Sequence, residues 1–109
     1  MEGQFRKDDR LGISIPILAM EWDEYPLEMQ QDILFHWETI RGSIPDRIAE
    51  LEKEINLKQA ELYDESDFER SCELNNEIAE LASVINDLWL WYRTHQDISE
   101  IENDRMRYQ

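Results

Sequence analysis

The run Leu74, Ile78, Leu81, Ile85, Leu88, Tyr92, His95 constrains this chain more than any other stretch. Its gaps alternate four and three, which places six apolar or aromatic residues and a closing histidine on one seam of a helix. Ser66-Asp67-Phe68-Glu69 stands in front of it and has the form of a capping box, in which Ser66 and Glu69 each satisfy the other's amide. The spacing predicts a helix over 66–96. A heptad seam is stable only against a second helix.

That second helix is found upstream. Ile44, Ile48, Leu51, Ile55, Lys58 and Leu62 repeat the alternation, which predicts a helix over 44–63. Ser43 or Ile44 is the expected cap, with Pro45 in the first turn and Asp46 favourable to the dipole. Lys58 is the polar member of the seam. It can reach water along its stem, and it can also help to fix register. Between the two seams, Tyr63-Asp64-Glu65-Ser66 is the most turn-like stretch, although it holds neither glycine nor proline. One unbroken helix of about fifty residues is the alternative. The turn is preferred because a capping box is wasted inside a helix, and a short connection makes antiparallel neighbours.

A further helix is expected over 25–41. Asp23 or Glu24 would serve its N-terminus, Pro26 would lie in its first turn, and Gly42 would cap its end. Leu27, Ile33, Leu34, Trp37 and Ile40, with Met29 and Phe35 beside them, make a stripe too broad for one neighbour. Residues 1–10 are charged and without periodicity, and read as a flexible tail. Leu11 to Met20 is apolar but contains Pro16, and reads as an extended arm lying on the helices or as a segment that docks on a partner. Residues 97–109 are polar, with Ile98 and Ile101 as the last anchors, and read as a frayed tail. The expected fold is therefore all-α and a single domain over 1–109. It is an antiparallel, coiled-coil-like helical hairpin whose base carries the shorter first helix, together a three-helix bundle. The 84–92 stretch, apolar nearly all round, is expected to be surrounded there.

The 109 residues hold 26 acids against 11 bases, a net charge of −15. Such a surface repels phosphate backbones and anionic membranes and favours basic protein surfaces. The apolar run 11–20 is half the length of a membrane span, and no signal peptide is evident. With Cys72 as the single cysteine, nothing indicates an oxidising compartment, and a cytoplasmic location is expected.

Residues with chemical potential are few. His36 and His95 lie far apart and lack the partners of a zinc site. Cys72 sits one position from the seam, between Ser71 and Glu73, and a half-buried filler is expected. Glu73, Glu77, Glu80 and Asp87 share one side of a helix, and Glu50 and Glu54 share a side of another. Carboxylates so placed can hold magnesium. Glu77-Ile78-Ala79-Glu80 followed by Asp87 resembles one acidic motif of the all-α MazG-type nucleotide pyrophosphohydrolases, and that resemblance implies magnesium-dependent hydrolysis. The acidic doublet of that family's preceding helix has no counterpart here, because Glu50, Glu52 and Glu54 alternate between faces.

The aromatic residues are more suggestive. Trp89, Trp91, Trp22 and Tyr25 are the candidate protein-contact residues, since tryptophan and tyrosine dominate binding hot spots. Trp89 and Trp91 project to opposite flanks of the seam. At least one must therefore meet the first helix, a second copy of the chain, or a partner. The expected function is non-enzymatic: an acidic helical interaction module (adaptor, regulator or inhibitor) that binds a protein with a basic surface or forms a homodimer. No cofactor and no direct nucleic-acid or membrane binding are expected. The alternatives are a nucleic-acid mimic that blocks a DNA- or RNA-binding protein, and the magnesium-dependent hydrolase.

Overall fold

The computed structural model describes residues 3–93. Two strands, β1 (Phe5–Asp8) and β2 (Ile13–Pro16), precede a short 3-10 turn at Trp22–Glu24. Two helices follow, α1 (Leu27–Asp64) and α2 (Phe68–Tyr92). The helices form an antiparallel hairpin, and the strands make a two-stranded antiparallel sheet against its open end. At 1.5 Å per residue, α1 is about 57 Å long. It accounts for the long axis of a molecule measuring 59 × 30 × 20 Å.

The three-helix bundle is not observed. The helices expected over 25–41 and 44–63 are one helix of 38 residues, which runs through Gly42 and Pro45. Gly42 has no positive φ, so it does not make the left-handed cap assigned to it. Pro45 removes the amide that would bond the Arg41 carbonyl, and a proline there costs about 3 kcal/mol relative to alanine. Burial offsets that cost. Ile33, Trp37, Ile44, Ile48 and Leu51 are all buried, and Trp37 to Ile44 is one heptad. The stripes on either side of Gly42 are therefore in phase and occupy a single face. A break would lift Ile44 and Ile48 out of the core, at roughly 1.5–3 kcal/mol for each buried side chain. Ser43 Oγ donates to the Ile40 carbonyl at 2.6 Å, within the helix.

The reversal of direction lies where the seams place it, but its chemistry is different. Helix α1 ends at Asp64 and α2 begins at Phe68. The cap is Asp67, one residue beyond Ser66, and its Oδ1 accepts from the Glu69 amide at 3.3 Å. Glu65 Oε1 accepts from the Asp67 amide at 3.0 Å, so a pair of acids shapes the turn. Leu74 is fully buried between the helices. Lys58 Nζ reaches Glu77 Oε2 on α2 at 3.3 Å, a cross-helix pair that ties the seam's polar position to its partner.

Residues 5–8, read as tail, form β1, and much of the apolar arm forms β2. Phe5 pairs with Pro16, Arg6 with Ile15, Lys7 with Ser14 and Asp8 with Ile13. Asp8 builds the connecting loop: its Oδ1 accepts from the Leu11 amide at 2.9 Å and its carbonyl from the Gly12 amide at 2.8 Å. Gly12 is the residue the loop depends on, at φ 79°. A Cβ there would also lie 2.5 Å from Arg47 Nε. The loop delivers Leu11 and Ile13 into the core, and Phe5, Ile15 and Leu18 pack around them. The sheet thus takes the place at the base that the sequence assigns to a separate first helix. The expected frayed tail, together with His95, Ile98 and Ile101, lies outside the described residues.

Candidate functional site

The loop at the base of the molecule is held from two sides, and the arrangement begins with Arg10 between β1 and β2. Its Nε donates to Glu80 Oε1 at 2.9 Å, Nη1 to Asp87 Oδ2 at 2.8 Å and Nη2 to Ser83 Oγ at 2.9 Å. Residues 80, 83 and 87 occupy one face of α2 because three and seven positions bring a helix back to the same side. The hydrogen bonds to Asp87 and then Glu80 hold the guanidinium above its ordinary pKa. Wherever its carboxylate partners are ionised, the stabilisation this linkage implies is present below the ordinary arginine value and is lost above it. From the other side, Arg47 Nε of α1 donates to the Leu11 carbonyl at 3.0 Å. The loop is therefore gripped by both helices.

The four aromatic candidates are brought to this same end but are placed differently. Tyr25 is buried, and its hydroxyl accepts from the Ala19 amide at 3.1 Å and the Met20 amide at 3.4 Å. Trp22 is half-buried, lies 6.3 Å from Tyr25 in a tilted pair, and offers its carbonyl to Gln30 Nε2 at 2.9 Å. Trp91 is half-buried, with its ring 5.6 Å from Trp37 in an edge-to-face pair. Its flank of the seam meets α1. Trp89, on the other flank, is 39% exposed and sets its ring edge-to-face with Tyr92 at 5.5 Å. Arg41 lies over the opposing Tyr92 ring at 4.7 Å, a cation–π contact between the helices. The expectation that 84–92 is surrounded does not hold: Trp89 and Leu90 are both exposed. Leu90 and Trp91, with Leu11 and Ile15, line an open groove of about 430 Å³ rimmed by Asp8, Arg10 and Asp87.

The residues missed by sequence reasoning are on the outward side of α1. Leu27 is 69% and Phe35 77% exposed. The sequence pattern places both in the packing stripe of the first helix. The phase fixed by Ile33, Trp37 and Ile44 shows that positions 27, 31 and 35 are on another face. At the far end, Tyr63 and Phe68 are exposed on either side of the turn. Phe68, expected to meet Leu62, is thus left largely in solvent. Cys72, expected to be half-buried, is exposed as well.

The helical carboxylates are directed at cations of the chain itself. Glu80 and Asp87 converge on Arg10. Glu77 is shared by Lys58 and Arg70, and Arg70 also takes Glu61 and Glu73 at 3.1 and 3.0 Å. The hydrogen bonds to Glu73 and then Glu61 raise the Arg70 pKa. Among the described residues no group of three or more His, Cys, Asp or Glu is arranged to hold a metal ion. His36 packs its ring against Phe5, edge-to-face at 4.5 Å. No helix among the described residues is long and apolar enough to cross a membrane. Compared with known protein families, with curated proteins and with solved structures, the chain matches none.

Proposed function

We propose that this chain is a non-enzymatic acidic interaction module of the cytoplasm, an adaptor, regulator or inhibitor that works by occupying a protein surface. One observation carries the reading: large apolar side chains face outward at both ends of a braced hairpin, and each group is set among carboxylates. Leu27 and Phe35 mark one end, and Tyr63 and Phe68 the other. Apolar contact supplies affinity once water is displaced, while the carboxylates select a basic partner and speed its approach. The Arg10 and Arg70 clusters and the Lys58–Glu77 pair support this use, because a braced hairpin loses little freedom on binding.

Affinity capture of partners across a salt series tests it. A basic protein retained at low salt and released as salt rises is the expected result. No partner and no self-association at physiological salt would refute the reading. A partner displaced by DNA or RNA would assign the chain to the nucleic-acid mimics instead.

A further inference from the structure

The N-terminal third of α1 presents a face that the rest of the described chain leaves uncovered. Leu27, Gln31 and Phe35 follow one another at intervals of four, so they form a ridge on the side away from Ile33, Trp37 and Ile44. At 1.5 Å per residue, its two apolar anchors are about 12 Å apart along the axis. Glu28 and Asp32 flank the ridge one position round, and both are exposed. Glu21, Asp23 and Glu24 add charge where the 3-10 turn leads into the helix. Among the described residues no ion pair engages any of these five acids. From Leu11 to Ile40 the chain has no lysine or arginine.

The hairpin tip offers the contrast. There Arg70 takes up Glu61, Glu73 and Glu77, its Nη2 lying 3.1 Å from Glu61, and Glu65 and Asp67 accept turn amides, so that only Asp64 and Glu69 beside Tyr63 and Phe68 are left without such a use among the described residues. The ridge therefore joins exposed apolar anchors to carboxylates whose charge the chain leaves unbalanced. A second copy would bring the same carboxylates against themselves in a molecule of net charge −15. A straight apolar ridge is complemented by the groove of another helix, and its acid borders by lysine or arginine beside that helix's apolar stripe.

We infer that the Leu27–Gln31–Phe35 ridge is the docking surface for a basic amphipathic helix of a partner protein. The inference rests on the interaction reading above and names its surface and the chemistry of its ligand.

The test uses the full chain and a dye-labelled synthetic helix of leucine and lysine, with the leucines on one stripe. A peptide of identical composition, scrambled so that no stripe forms, is the control. Fluorescence anisotropy is expected to show binding of the striped peptide that weakens with salt, and weaker binding of the scrambled one. Phe35→Asp and Leu27→Asp should each reduce affinity roughly tenfold or more, the loss typical of a contact anchor. Tyr63→Asp, at the tip, should leave it unchanged. Both ridge positions are exposed, so these variants fold, and their helical circular dichroism verifies it. Binding that ignores Phe35, or follows Tyr63 instead, overturns this surface while leaving the interaction reading intact. Equal binding of the scrambled peptide overturns the helix as ligand. A dimer in light scattering that Phe35→Asp dissolves assigns the ridge to a second copy and overturns the inference. Failure of every basic probe counts against the interaction reading itself.

Discussion

The base and the stem of this hairpin are made from the same two helices yet are held together in different ways. At the base, Trp37, Ile33, Ile44, Ile48, Val84 and Leu88 are enclosed by a third layer, the β-hairpin with Leu11 and Ile13 and the segment carrying Tyr25. Along the stem each helix has one neighbour. Leu74 is buried, but Ile55, Leu62 and Ile78 are only half-covered. Polar links supply part of the stem's cohesion: Lys58 to Glu77, and Arg70 to Glu61 across the turn. A two-helix ribbon can bury one stripe from each member, whereas a third layer closes the open side. Stability is therefore concentrated at the base, and the stem is a projection from it.

The largest expected effect tests that concentration. Trp37 is fully buried against Trp91. Trp37→Ala should cost about 3–5 kcal/mol in denaturant unfolding, the range for a large aromatic residue removed from a core. Leu74→Ala, in the stem, should cost about 2–3 kcal/mol, the low end for a buried leucine, because a two-helix contact can close over the gap. If Leu74→Ala proves the more damaging, the distinction between base and stem fails. Gly12→Ala probes the third layer alone. Its positive φ and the 2.5 Å approach to Arg47 Nε should make alanine cost about 1–2 kcal/mol. Most of that loss should appear as earlier release of the β-hairpin, read by tryptophan fluorescence, since Trp22, Trp37, Trp89 and Trp91 all belong to the base. A loss of helical dichroism ahead of fluorescence would show that the sheet is not the layer that closes the base.

The stem was the legible part of the sequence. Its seams, its reversal near Asp64 and the polar position at Lys58 are written in a spacing of four and three that only a helix pair satisfies. The base was not, because local signals there oppose the packing that overrides them. Gly42 indicates a helix end and Pro45 a helix start, yet Trp37 and Ile44 are one heptad apart and continue a single buried stripe. That phase relation was present in the sequence and outweighs the two breakers. The strands were hidden by length: four residues each, one of them the charged Phe5-Arg6-Lys7-Asp8. The available signal was Gly12 leading into the alternation Ile13-Ser14-Ile15. The outward ridge was missed for the same reason as the continuous helix. With α1 cut at Gly42, Leu27 and Phe35 could be counted in the core stripe. Once the phase is fixed by Ile44 and Ile48, they face water.

The passage of α1 through Gly42 underlies both the base and the ridge, and the stability of Gly42→Ala tests it most directly. A Cβ at this position meets nothing within 4 Å, and the backbone has no positive φ. In a continuous helix alanine should stabilise the fold by about 0.5–1 kcal/mol, because glycine forfeits more freedom on ordering. A loss of stability of similar size would mean that Gly42 adopts the left-handed geometry of a helix end and that α1 is two helices after all.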